Sequence, residues 1–184
     1  RLDAWAENYF VYIEAQAGFR RGMGTIDNTF ILQNIINHCL GNGKKLYCAF
    51  VDFKKAFDYV VRDILWFKLF RYVIRSMYEN IKSRIITSDN YLSEAFYCSL
   101  GVRQGEYLSP FLFSIYLNDI EDTFKQKGAD GININDLKLV FLLYADDIVL
   151  FAESAESLEL QNSLNILEGY CDRWKLTVNS TKTK

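Results

Sequence analysis

The chain is 184 residues long, half of them apolar, with 16% aromatic and 24% charged side chains and a single proline. That is the composition of one globular domain able to bury a sizeable core, and it excludes disorder, a collagen-like repeat and a disulfide-stapled miniprotein. A formal net charge of -2 and a pI near 5.5 argue, over the chain as a whole, against a polyanionic partner such as nucleic acid.

No stretch approaches the roughly 18 uncharged apolar residues of a membrane span. The longest apolar run, VFLLYA at 140–145, stops at two aspartates. The chain opens at Arg1 without a signal-like segment and ends on Thr181, Lys182, Thr183 and Lys184, and it is expected to be a piece of a longer polypeptide. Cys39, Cys48, Cys98 and Cys171 sit singly in apolar segments with no ligand spacing, which predicts reduced thiols and an intracellular setting. His38 is the only histidine, so no His-based metal cluster is available.

Residues 1–16 have helix-compatible apolar positions, and the Gly- and Arg-containing loop AGFRRGMG follows. Thr25 is expected to cap a helix bearing Ile31 and Ile35, ended by Gly41-Asn42-Gly43. LYCAFV at 46–51 is a nearly unbroken apolar run, predicted to be a buried strand ending at Asp52. A helix is predicted from about 62 to 81, then a hairpin about Ser88-Asp89-Asn90. Ser109-Pro110 predicts a helix start, with Ser as cap and the helix running to Gly128. Strands over 137–144 and 148–151 flank Ala145-Asp146-Asp147, and the helix bearing Leu160, Leu164, Leu167, Cys171 and Trp174 leads to a last strand about Leu176 and Val178. With the hairpin set aside, the order predicts an α+β, split ferredoxin-like fold.

The chemically unusual residues are Asp52, Asp146 and Asp147, each at the end of an apolar strand. In a ferredoxin-like sheet these strands are neighbours and the carboxylates converge. Clustered carboxylates repel unless a cation neutralises them, and Mg2+, which takes oxygen ligands and completes its shell with water and substrate phosphates, suits them. The pattern points to metal-dependent phosphoryl transfer and leaves polymerase, nuclease and nucleotide cyclase open.

FVDFKKAFD at 50–58, GVRQGEYLSPFLFSIYLNDI at 101–120, LLYADDIVLFAES at 142–154 and KLTVNSTKTK at 175–184 resemble successive palm motifs of reverse transcriptases, and QAGFRRGMGT at 16–25 resembles the fingers segment before them. The wording is most similar to non-LTR (LINE-type) retrotransposon enzymes, with group II intron enzymes more distant. Viral RNA-directed RNA polymerases usually carry Gly where Ala145 stands and a small or polar residue at Phe57. The resemblance implies a partial fingers segment over 1–45 and a palm over 46–184. It further implies RNA-directed DNA synthesis with two Mg2+ ions (Mn2+ as substitute), held by Asp52, Asp146, Asp147 and the carbonyl of Phe53. RNA template, DNA primer and deoxynucleoside triphosphates would be the partners, together with the thumb and any endonuclease of the parent polypeptide, in the nucleus or a cytoplasmic ribonucleoprotein. Phe57 corresponds to the aromatic that excludes a 2′-hydroxyl, Gln104 and Gly105 to the loop against nucleotide and template, and Lys182 to the lysine that protonates pyrophosphate. Arg20 and Arg21 correspond to fingers residues near template or triphosphate.

WFKLF at 66–70 runs almost directly into RSMYENIKSR at 75–84, where the family has a Gly-containing turn and more helix. The apparent deletion near 70–75 predicts a poor or inactive polymerase, and a noncatalytic remnant is the alternative reading. Local charge answers the objection from the total. Glu153, Glu156, Glu159 and Glu168 are expected away from substrate, whereas Arg20, Arg21, Lys54, Lys55, Arg173, Lys175, Lys182 and Lys184 are expected near the cleft.

Overall fold

A computed structural model describes residues 6–7, 11–69, 78, 81–134, 136–153 and 158–184, with the backbone alone for 158 and 159. The helices are α1 (Thr25–Gly41), α2 (Arg62–Leu69), α3 (Leu108–Tyr116), α4 (Ile120–Gln126) and α5 (Leu158–Trp174). The strands are β1 (Tyr47–Asp52), β2 (Lys82–Ser83), β3 (Phe96–Tyr97), β4 (Ile132–Ile134), β5 (Leu137–Leu139), β6 (Phe141–Tyr144) and β7 (Asp147–Ala152).

The apolar runs form the central antiparallel sheet, in the order β1-β7-β6. β7 is largely buried, but the expectation of a buried strand at 46–51 is corrected: only Ala49 and Val51 of β1 are fully buried and Phe50 is 50% exposed, because that face of β1 borders an open groove. The sheet register pairs Val51 with Ile148 and Asp52 with Asp147, while Tyr144 meets Asp147 from the other side. Both outer edges are covered, so no free strand edge is left there. Along β1, the C-terminal residues exchange backbone bonds: Asn179 N–H donates to the Asp52 carbonyl (2.8 Å), and Phe50 and Lys184 bond each other (2.8 and 3.0 Å). Along β6, Ala17 N–H donates to Leu143 (2.9 Å) and Leu143 N–H to Ala15 (2.9 Å).

Side-chain alternation gives the sheet two faces. Val51, Phe53, Leu143, Ile148 and Leu150 enter the main core with Leu112, Phe113, Tyr116, Ile120, Phe124 and Tyr170 of α3, α4 and α5. On the opposite face Leu142 and Phe151 pack with Ile35 and Cys39 of α1 and with Ile132. Lys68 of α2 is buried beneath α5, its ammonium 2.6 Å from Asp119 and 4.1 Å from the Trp174 ring centroid. Tyr170 donates to the same carboxylate at 2.7 Å, so the buried charge is paired and further hydrogen-bonded.

The mixed helix and strand class and the neighbouring strands of Asp52 and the aspartate pair follow the sequence pattern, as does the 82–97 hairpin, where Lys82 pairs with Tyr97 and Ile86 with Leu92. Several expectations are corrected. Residues 11–16 form turns and a bridge, because Gln16 lies beside Leu143 at the sheet edge; most of the predicted 1–16 helix otherwise lies outside the described residues. The cap of α1 is Gly24 rather than Thr25, its N–H donating to the Asp27 carboxylate at 2.6 Å. α3 begins at Leu108, and Ser109, inside its first turn, donates its hydroxyl to the Arg103 carbonyl. The 109–128 helix breaks at Leu117–Asp119, where the Tyr116 carbonyl accepts from Lys68 instead of continuing the ladder. The 137–144 strand divides at Val140, its first half pairing with β4 and its second with β7. The last strand reduces to one bridge between Val178 and Phe53. The 62–81 helix is seen as Arg62–Leu69, and the apparent deletion near 70–75 lies outside the described residues. All four cysteines are free, and burial pushes the Cys171 thiol up to about 12. Among the described residues no helix is long and apolar enough to cross a membrane.

Candidate active site

β1 and β7 run antiparallel, so their register sets Asp52 directly opposite Asp147, and Asp146 precedes it at the β6-β7 turn. That turn has two residues, and Ala145 adopts φ +56°, a left-handed conformation costing an L-residue with a Cβ roughly 1–2 kcal/mol. The Asp52 carboxylate accepts from Asn179 Nδ2 at 2.8 Å and lies 3.6 Å from Lys182 Nζ. Partial burial raises the Asp146 carboxyl above the ordinary aspartate value, and the negative charges of Asp147 and Asp52 raise it further. Asp147 is raised as well, by burial first and by Asp52 second, with Lys182 opposing.

Asp52 and Asp147 open onto a groove of about 430 Å³ between the sheet and α1, walled by Phe50, Tyr144, Leu142, Val149, Asn28 and Leu32. Among the described residues no three His, Cys, Asp or Glu side chains are gathered tightly enough to enclose a metal ion. The donor chemistry nevertheless fits a hard divalent cation. Carboxylates stand together at one sheet end with no soft ligand beside them, and burial first, with neighbouring aspartates after it, raises the Asp146 and Asp147 carboxyls. Phe53 turns its ring into the core, 2% exposed, as strand alternation requires beside an outward Asp52.

A second pocket, about 690 Å³, brings together Phe57, Gln104 and Gly105 with Phe19, Tyr107 and Pro110. Phe57 stacks on Phe113 (4.8 Å between centroids, 24° between planes) and meets the edge of Phe19 (6.0 Å, 87°), which fixes its ring. Gln104 donates from Nε2 to the Asp58 carboxylate at 2.9 Å. Gly105 has φ +84° with open space around it, so backbone conformation requires the glycine there. Arg20 is elsewhere: its guanidinium bonds Glu7 at 3.0 and 3.2 Å, reaches the Ile13 and Gln16 carbonyls and lies over Tyr12. That arginine ties the N-terminal segment together. Arg21 is exposed, and so are Lys54, Lys55, Arg173, Lys175, Lys182 and Lys184. Glu153 pairs with Lys44 at 3.1 Å and Glu168 is exposed; Glu156 and the side chain of Glu159 lie outside the described residues.

Asn179 and Arg62 escaped the sequence reading. Asn179 sits in a short polar stretch whose side-chain partners are unreadable without the fold. Arg62 is an arginine opening a helix, ordinary in sequence, yet it is buried and donates to the carbonyls of Cys98 (2.7 Å), Leu100 (2.8 Å), Gly101 (2.8 Å) and Tyr78 (3.3 Å).

A helix-backed antiparallel sheet presenting opposed aspartates at one end, with an aromatic-walled pocket on the loop that leaves its first strand, is the palm architecture of template-dependent polymerases. The chain belongs to the reverse transcriptase (RNA-dependent DNA polymerase) family, whose sequence profile matches residues 6–184. It is 30% identical over 179 residues to the "Probable RNA-directed DNA polymerase from transposon BS" of Drosophila melanogaster, covering 91% of this chain and 19% of that protein. With the "Retrovirus-related Pol polyprotein from type-1 retrotransposable element R2" of Nasonia vitripennis it shares 34% over 169 residues, 83% of this chain and 15% of the other. It is 25% identical to the RNA-directed DNA polymerase from mobile element jockey of Drosophila melanogaster over 177 residues, 91% of this chain and 19% of that one. These relatives are polymerases of non-LTR retrotransposons, and the chain spans less than a fifth of their length. Among solved structures it resembles apo telomerase from Candida tropicalis truncated from its C-terminal domain (TM-score 0.64, 15% identity, all of this chain and 38% of that one) and telomerase from Candida albicans (TM-score 0.60, 17% identity, all of this chain and 33% of that one). At those identities the likeness is one of fold.

Proposed function

We propose that the chain forms the palm and part of the fingers of a non-LTR retrotransposon polymerase that extends a DNA primer on an RNA template. The observation that carries this is the register placing Asp52 opposite Asp147 with Asp146 at the adjoining turn. In the proposed reaction the primer 3′-oxygen attacks the α-phosphorus of a deoxynucleoside triphosphate. A new P–O bond forms, the bond to the β-phosphate breaks in line, and pyrophosphate leaves. Two Mg2+ ions, or Mn2+ in their place, held by Asp52, Asp146, Asp147 and the Phe53 carbonyl, would supply the positive charge for the attacking and leaving oxygens.

The remaining roles fall to side chains. Asp52 and Asp147 present oxygens from paired strands whose ladder keeps them opposed. Lys182, 3.6 Å from Asp52, would give a proton to the leaving pyrophosphate. Phe57, clamped between Phe113 and Phe19, forms a rigid wall where a sugar 2′-hydroxyl would stand, and Gln104 and Gly105 border the same pocket. Exposed Lys54, Lys55, Arg21 and Lys175 would meet nucleic-acid phosphates, with the thumb and any endonuclease supplied by the rest of a longer polypeptide.

The test is extension of a DNA primer annealed to RNA, by this chain and by the longer polypeptide carrying it. Asp146→Asn is expected to lower the rate by about 10³-fold or more, the scale of losing a preorganised electrostatic partner. Extension unaffected by this change, or none from the longer polypeptide, would overturn the reading. Phe57→Val is expected to raise ribonucleotide use relative to deoxyribonucleotide by about tenfold or more, because a steric filter loses its wall. Comparison of kcat/KM for CTP and dCTP measures it, and an unchanged ratio removes Phe57 from that role.

A further inference from the structure

Besides the α1 residues that wall the groove, the N-terminal segment touches the turn of the candidate active site through a buried side chain. Gln16 is 2% exposed and lies 129 positions from Ala145 in sequence. Its Oε1 accepts from the N–H groups of Ala145 (2.9 Å) and Gly18 (2.7 Å), and its Nε2 donates to the Ala145 carbonyl (3.1 Å). One carboxamide thus engages both backbone groups of the residue that precedes the aspartate pair. The orientation of the amide follows from its partners, since only the oxygen can receive two N–H groups and only the nitrogen can donate to a carbonyl.

We propose that Gln16 is a positioning residue whose carboxamide holds the Ala145–Asp146 turn in the conformation that aims the aspartate pair at its cation. The inference rests on the reading of Asp146 and Asp147 as cation-holding groups. Ala145 sits at φ +56°, a region disfavoured for any residue with a Cβ, and such a conformation persists only where its surroundings over-determine it. The sheet ladder alone does not do so, because Ala145 lies between β6 and β7. The surroundings that do are Gln16 and the backbone about it. Leu143 is bonded on either side of Gln16, by Ala15 and Ala17, which sets the register of the two segments. At Gly18 a Cβ would stand 2.2 Å from the Ala145 nitrogen, so the fingers backbone itself closes against the turn. Without the carboxamide, the buried N–H and C=O of Ala145 lose their partner and the turn can relax toward ordinary φ values, swinging Asp146 while the β1-β7 pairing remains.

The experiment compares Gln16→Met, which keeps the volume and removes every hydrogen bond, with Gln16→Glu, which keeps the acceptor but sets an oxygen against the Ala145 carbonyl. Mn2+ binding is followed by electron paramagnetic resonance of the free ion, and backbone amide exchange by NMR. Gln16→Met is expected to weaken Mn2+ binding about tenfold or more and to speed exchange at Ala145 and Gly18, with β1 and β7 amides as protected as before. Placing Ala145→Gly in the Gln16→Met background should return most of the Mn2+ affinity, since glycine adopts the left-handed turn unaided. If Gln16→Met does not fold, Gln16→Glu is judged by the same binding, exchange and rescue measurements. Mn2+ affinity within twofold of the unaltered chain, or no recovery with Ala145→Gly, overturns the proposal. Asp52→Asn separates the two readings: if the unaltered chain shows no Mn2+ binding that this change removes, the cation reading itself has failed.

Discussion

Titration with Mg2+ or Mn2+ will raise the melting temperature of the chain, and Asp52→Ala will remove the rise. A cation that binds only the folded state at 100 times its Kd stabilises it by about 2.7 kcal/mol, which for a chain of this size is about 5–10 °C. The metal-free protein should behave in the opposite sense. Asp146 and Asp147 have carboxyls raised in the folded state, mainly by burial and then by neighbouring aspartates. Groups of this kind contribute stability below the unfolded aspartate value near 4 and lose it as pH rises through the raised folded values. At neutral pH the metal-free pair is therefore a liability, and Asp146→Asn is expected to raise the metal-free melting temperature slightly, by about 2 °C for a partly solvated group, while reducing the response to cation. Cation binding requires the ionised carboxylates, so the Mg2+ shift should grow as pH rises from the ordinary aspartate range through the raised folded values. Thermal scans in chelator and in Mg2+ across that range measure all three effects. A metal shift that survives Asp52→Ala, or a metal-free melting temperature lowered by Asp146→Asn, would count against the cation site.

Arg62→Met will cost the fold about 3–5 kcal/mol, with the melting temperature falling about 10 °C or more. Arg62 is 9% exposed, and among the described residues its hydrogen-bond partners are four backbone carbonyls, with no ion pair to a carboxylate. Burial holds its pKa below the usual arginine value, in the direction expected where the charged form is desolvated. Methionine keeps much of the volume and leaves the Cys98, Leu100, Gly101 and Tyr78 carbonyls without their donor, those of Gly101 and Tyr78 in buried bonds and those of Cys98 and Leu100 in part-buried ones. Arg62→Lys should recover only part, because an ammonium cannot span carbonyls that a planar guanidinium reaches as a fork. The loss reaches the aromatic-walled pocket as well, since the same loop continues through Gly101 and Val102, bonded to Val60 and Phe57, to Gln104 and Gly105. Urea unfolding measures the cost, and a loss under about 1 kcal/mol would show those carbonyls to be served by water.

The legible parts of this protein are those in which a local pattern has one stable outcome. LYCAFV and DIVLFA are apolar runs too short for a helix, and an aspartate closing or opening such a run sits at a strand end wherever the strands lie, although Phe50 on one face of the first run stays half exposed. The 82–97 hairpin and the end of α1 at Gly41 follow from turn residues for the same reason. Boundaries set by tertiary partners were not legible. A continuous apolar pattern extends through Leu117, but Lys68 claims the carbonyl on which continuation of the helix depends. Val140 reads as strand, but the chain changes pairing partner there.

The candidate site residues divide in the same way. Composition and order single out Asp52, Asp146 and Asp147 as candidates, because carboxylates ending apolar strands are costly unless something offsets their charge, and motif wording singles out Phe57 and Gln104; the fold brings Asp52 opposite Asp147 and sets Phe57 and Gln104 around one pocket. Arg20 belongs to Glu7, Asn179 reaches Asp52, and Gln16 clasps Ala145, because each depends on chain segments brought together by folding. Apolar periodicity and charge are properties of neighbours along the chain. A hydrogen bond spanning 129 residues is a property of the register between the sheet and the N-terminal segment, and no local pattern encodes it.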